Sequence, residues 1–93
     1  MASNPEALAQ LARLLGNNAL RTSTEVEARA AASSNLERLA DGLVAEAAAS
    51  DDVTDVESAR EFLNARLIFL KGLLDEGTGT RLWQLIQDKI DAW

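Results

Sequence analysis

The chain has 93 residues, a formal net charge of −6 at pH 7, and neither cysteine nor histidine. This length indicates one domain, and the missing residue types exclude disulfides, thiolate nucleophiles, cysteine-based zinc sites and the commonest general base of enzymes. The acidic charge disfavours binding to phosphate backbones and to anionic membranes.

The sequence predicts neither a signal peptide nor a membrane-spanning segment. The N-terminus has no basic region followed by an apolar run, so no signal peptide is predicted. The longest run of bulky apolar residues, 67–70, is far shorter than the roughly 20 residues of a membrane span. We therefore expect a soluble cytoplasmic protein.

The first helix is predicted over residues 5–15. Asn4 is a suitable N-cap, and Gly16 ends the helix as a left-handed residue. The apolar residues of this segment recur at helical spacing and form one face, which consists of Leu8, Leu11, Ala12 and Leu15.

The second helix is predicted over residues 25–49. Thr24 and Glu27 form a capping box, although a second box beginning at Thr22 leaves the start open by one turn. Leucines and alanines form its apolar face. The weak helix formers at 33–35 leave a kink or break open, although we predict a single helix.

The third helix is predicted over residues 55–76, after a capping box of Thr54 and Glu57 and before Gly77. It is expected to lie at the centre of the core because its apolar residues cover a wide arc of about 160°. These residues are Val56, Ala59, Phe62, Leu63, Leu67, Phe69, Leu70, Leu73 and Leu74.

The fourth helix is predicted from residue 81 to the C-terminus, with Thr80 as its cap. Its apolar stripe reaches Trp93, which we therefore expect to pack in the core. Short connections favour antiparallel neighbours. The sequence thus predicts a single all-α domain over residues 1–93, a compact bundle of about four helices around a long antiparallel α-hairpin.

Two segments resemble ligand-binding sites, but their residue patterns do not support that function. The acids between residues 51 and 57 could bind a hard cation, but they lack the spacing of a calcium loop and suit a helix start. Residues 77–81 precede a helix, but the lysine of a phosphate-binding loop is missing. We predict no cofactor, no metal and no enzymatic activity.

Three residues do not fit a closed core and are the predicted partner-binding residues. Arg66 lies within the apolar arc of the third helix, where it would reach solvent, pair with Glu46 or face a partner. Ile68 lies on the opposite side of that helix. Trp83 lies at the edge of its stripe, and tryptophan is common among interface hot spots.

These observations predict a small protein–protein interaction module, such as an adaptor, inhibitor or assembly factor. The expected partner is a second copy of the chain in a homodimer, with a different protein as a further partner. Small acidic regulators of bacteria and phages are comparable by analogy only. The alternative is a nucleic-acid-binding regulator that uses the first two helices as a helix-turn-helix, which the acidic charge disfavours.

Overall fold

The computed structural model describes residues 5–93, apart from the side chain of Lys71, and this part of the chain is all-helical. Five α-helices and one short 3₁₀ helix follow one another without a strand between residues 5 and 93. In chain order they are α1 (Pro5–Leu15), the 3₁₀ helix (Asn18–Thr22), α2 (Glu25–Ser34), α3 (Leu36–Ala49), α4 (Val56–Lys71) and α5 (Glu76–Ile90).

Helix α1 has the predicted bounds and buries the predicted face. Gly16 follows it with φ of +65°, a left-handed conformation that glycine adopts without a steric penalty. The Asn17 amide donates to the Ala12 carbonyl at 2.9 Å, which completes the end of the helix. The predicted cap, Asn4, lies outside the described residues.

The prediction of a single helix over residues 25–49 is wrong, because the helix is interrupted at Asn35. The Asn35 side-chain nitrogen donates to the Ala31 carbonyl at 2.8 Å and so replaces a backbone donor of a continuing helix. The Asn35 backbone leaves the helical region at φ −132°, ψ 36°. The break occurs within the segment of weak helix formers. The capping box of Thr24 and Glu27 at the start of α2 is confirmed.

The predicted boundary between the third and fourth helices is also wrong. Helix α4 ends at Lys71, and α5 begins at Glu76, five residues earlier than expected. Asp75 caps α5, since its Oδ1 accepts from the Thr78 amide at 2.7 Å. Gly77 therefore lies inside a helix instead of ending one.

The N-cap of α4 lies one residue later than predicted. Asp55, not Thr54, caps the helix, and its Oδ1 accepts from the Ser58 amide at 2.7 Å. The Ser58 hydroxyl accepts from the Asp55 amide at 3.0 Å, which completes a reciprocal capping box. Because the predicted second helix is divided and the third is shorter, the long α-hairpin of two helices over 20 residues is not formed between residues 25 and 76.

Helix α3 is the central element, because it packs against α1, α4 and α5. Its approach to α1 is close at Gly42, where a Cβ atom would lie 3.0 Å from Leu14 Cδ2. Fully buried leucines and isoleucines fill the space between these helices. These residues are Leu8, Leu11, Leu39, Leu43, Leu63, Leu70, Leu73, Leu82, Ile86 and Ile90. Outside this core, Lys89 of α5 contacts Glu37 and Asp41 of α3 at 3.0 and 2.8 Å.

None of the helices formed by residues 5–93 combines the length and the hydrophobicity that a transmembrane segment requires.

Candidate functional site

A groove of about 470 Å³, which we call the α4–α5 groove, lies between the second half of α4 and the first half of α5. Leu67 and Leu74 form part of its apolar lining, and Trp83 contributes an indole that is half-buried against the core. Ile68 stands at its edge with 63% of its surface exposed. The groove can therefore receive an apolar side chain from outside.

The polar part of the α4–α5 groove lies mainly at the start of α5. Asp75 and Glu76 carry its carboxylates, and Asn64 and Thr80 are neutral. Hydrogen bonds from Thr78, with a smaller contribution from the positive charge of Arg29, hold the pKa of the Asp75 carboxyl below its usual range. This end of the groove is thus negative at neutral pH.

The shape of the groove depends on the turn between α4 and α5. Gly72 follows α4, and the Leu73 and Leu74 amides both donate to the Leu70 carbonyl, at 2.9 and 3.1 Å. Arg29 of α2 supports this turn from the side, since its Nε donates to the Leu73 carbonyl at 3.1 Å. Sequence reasoning did not single out Arg29, because the two residues are 44 positions apart.

Two of the three predicted partner-binding residues are brought together. Ile68 and Trp83 line the same groove, although they belong to different helices. Arg66 does not line it and lies instead at a second cavity that also involves α1.

The ion pair with Glu46, one of the alternatives left open for Arg66, is not formed. Glu46 contacts Arg13 of α1, with 3.1 Å between Arg13 Nη2 and Glu46 Oε2. The guanidinium of Arg66 lies 4.9 Å from the centre of the Phe62 ring, a cation–π contact one helical turn away on α4. Arg66 is therefore partly exposed and held against an aromatic face.

The predicted burial of two aromatic residues is wrong. Trp93 follows the end of α5 and is 50% exposed, because the helix stops at Ile90 and the stripe does not continue. Phe69 is 43% exposed. Phe69 lies roughly 100–120° around the helix from the buried Leu63 and Leu70, so the core-facing arc of α4 is narrower than the sequence indicated.

The acids between residues 51 and 57 do not converge. Within residues 5–93, no group of three or more acidic side chains is placed to hold a metal ion. Asp55 serves as the cap of α4, and its hydrogen bonds from Ser58 lower its pKa. The glycine-rich segment after Asp75 forms the first turn of α5.

Comparison with known proteins adds no assignment: no family model, no curated protein and no solved structure matches the chain.

Proposed function

We propose that this chain is a non-enzymatic protein–protein interaction module that forms a homodimer through the α4–α5 groove. The observation that supports the proposal is the position of Ile68, a large apolar side chain that is 63% exposed directly beside an apolar groove. A projecting residue and a receiving groove thus occupy one face of the chain.

This juxtaposition favours a symmetric partner. In a two-fold dimer the same surface patch meets itself, so a residue and the pocket that receives it must both lie on that patch. Ile68 of each copy would enter the groove of the other, against Leu67 and Trp83. Burial of the 63% of Ile68 that is still exposed contributes roughly 1–2 kcal/mol, and the dimer gains this contribution twice.

The charge distribution is compatible with such an interface. Interface centres are depleted in charged residues. Among the described residues, the only charged ones in the groove lining are the two acids at the start of α5, and the rest of the lining is apolar or neutral. A standard interface covers roughly 800 Å² on each partner. Such an interface would cover about one seventh of the 5610 Å² that the chain exposes.

The test is the dimer dissociation constant, measured by sedimentation or light scattering from low micromolar to high micromolar protein. Ile68→Asp places a charge in the apolar contact and should weaken the dimer by at least 100-fold, on the order of 3 kcal/mol, without loss of helicity. Val26→Asp is the matched control, because Val26 of α2 is 74% exposed and does not line the groove.

A second variant avoids the half-buried Trp83, whose replacement by aspartate would remove core contacts. Gly79→Leu adds a side chain where a Cβ atom has no neighbour within 4 Å, and it should fill the groove and block the partner. A wild-type monomer at 100 μM protein would refute self-association. Equal dissociation constants for Ile68→Asp and Val26→Asp would show that the interface lies elsewhere.

A further inference from the structure

A second cavity, of about 320 Å³, lies between α1, the 3₁₀ helix and α4. It is separate from the α4–α5 groove, since the two share no lining residue. Four residues of α1 line it from one helical face, and the 3₁₀ helix and α4 supply the other three. The polar and aromatic residues that line it are Glu6, Gln10, Arg13, Arg21, Arg66 and Phe69.

The cavity is positively charged within an acidic protein. Three arginines and one glutamate line it, a local charge of +2, whereas the whole chain carries −6. Glu46 contacts Arg13 from outside the lining and neutralises part of that charge. The side chain of Arg21 makes no hydrogen bond or ion pair with the described residues, so its guanidinium is available to a ligand.

A buried donor at the same cavity has no acceptor. Gln10 is only 8% exposed, and its side-chain nitrogen lacks a hydrogen-bond partner among the described residues. Buried polar groups are nearly always hydrogen-bonded in folded proteins. The nitrogen is shielded from solvent, so an acceptor supplied by a ligand would satisfy this donor once the Gln10 side chain turns toward the cavity.

The residues that line the cavity indicate which chemical groups a ligand would carry. Guanidinium groups bind carboxylate and phosphate oxygens with two parallel hydrogen bonds. The contact with Phe62 restricts the Arg66 side chain, so Arg66 loses less conformational entropy when it binds a ligand. Phe69 presents a 43% exposed ring on which a flat apolar group can stack. The volume lies near the lower limit for small-molecule sites.

We infer that this cavity binds a small aromatic oxyanion, a single phosphate or carboxylate attached to one ring. Arg21 and Arg66 bind the anionic group, the amide of Gln10 donates to it, and Phe69 contacts the ring. The inference is independent of the proposed dimer, because Ile68 and Trp83 take no part in this cavity.

The experiment is a titration of the intact protein with phenyl phosphate by calorimetry at low salt. We expect saturable binding with a Kd of about 1 mM or tighter. Arg21→Gln and Arg66→Gln should each weaken it about ten-fold. Arg81→Gln is the matched control: it removes the same charge from an exposed position on α5 outside the cavity and should leave the Kd unchanged.

Two further ligands test the two halves of the site. Inorganic phosphate should bind at least ten-fold more weakly than phenyl phosphate, because it makes no contact with Phe69. A blocked phosphotyrosine peptide identifies the source of the ligand: tighter binding than phenyl phosphate indicates a protein segment, and equal binding indicates a free small molecule.

Gln10→Met provides a readout that a merely structural role would not give. Removal of the unpartnered amide should raise the melting temperature while weakening phenyl phosphate binding. Absence of saturable binding up to 20 mM phenyl phosphate, or equal weakening by Arg21→Gln and Arg81→Gln, would overturn the inference. Unchanged binding by Ile68→Asp is expected and separates this site from the dimer interface.

Discussion

Replacing Gly79 with alanine should stabilise the protein, because Gly79 lies inside α5 and not in a turn before it. A Cβ atom at this position has no neighbour within 4 Å, and its φ is not positive. Alanine is more favourable than glycine within a helix by about 0.5–1 kcal/mol. For a domain of this size, each kcal/mol raises the melting temperature by roughly 4–8 °C, so an increase of about 2–8 °C is expected.

Two other glycines serve as controls with different expected signs. At Gly42 the new methyl group would lie 3.0 Å from Leu14 Cδ2, so displacement of Leu14 offsets the helical gain. At Gly16 the left-handed backbone penalises any side chain by about 1–2 kcal/mol, so Gly16→Ala should be destabilising.

Thermal unfolding followed by circular dichroism, with urea unfolding as a second measurement, ranks these glycine variants. The expected order of stability is Gly79→Ala, then Gly42→Ala, then Gly16→Ala. The result that refutes the reasoning is a Gly79→Ala variant no more stable than the wild type. Such a result would return Gly79 to the turn that the sequence predicts before residue 81.

Arg29→Met should lower the free energy of unfolding in urea by about 1 kcal/mol, because the Leu73 carbonyl loses its partly buried donor, and an unchanged urea midpoint would contradict this. The pKa of Asp75 is lower in the folded chain than its ordinary value of 3.8, so its contribution to stability is present above that value and lost as the pH falls through the folded pKa. The difference in melting temperature between wild type and Asp75→Asn should therefore shrink from pH 6 to pH 2.5. Lys89→Gln should lower the melting temperature slightly at low salt and not at 1 M salt, where exposed ion pairs are screened; a salt-independent difference would argue against the ion pairs.

The all-helical class and much of the core could be predicted because local signals determine them. Leu39 and Leu43 in α3, and Leu82 and Ile86 in α5, recur at helical spacing and are fully buried. Gly16 ends the first helix as expected, since the left-handed residue after a helix is a local motif that does not depend on distant contacts.

The boundary between α4 and α5 could not be predicted because two local signals competed there. Glycine at position 77 is typical of a helix end, whereas Asp75 with Thr78 at the third helical position is typical of a helix start. The helix start prevails in the fold, where Asp75 Oδ1 accepts from the Thr78 amide at 2.7 Å and Thr78 is buried. Helix propensity alone disfavours glycine in that first turn.

The surface was predictable only in part, for a related reason. Ile68 and Trp83 could be singled out because each departs from the apolar stripe of its own helix. In the second cavity, Gln10 and Arg21 meet Arg66, which is more than 40 positions away from both, and no local pattern connects them. Gln10 in particular has no unusual sequence context, and its unpartnered nitrogen is evident only once α1 is packed.

The placement of the two tryptophans gives the protein a built-in optical probe. The chain has no tyrosine, so its intrinsic emission comes from Trp83 and Trp93. Trp93 is half exposed after the last helix, and replacing it with phenylalanine would leave the indole in the α4–α5 groove as the single emitter. Exclusion of water from that groove would shift the emission of Trp83 to shorter wavelength, so occupancy of the groove can be followed without any attached label.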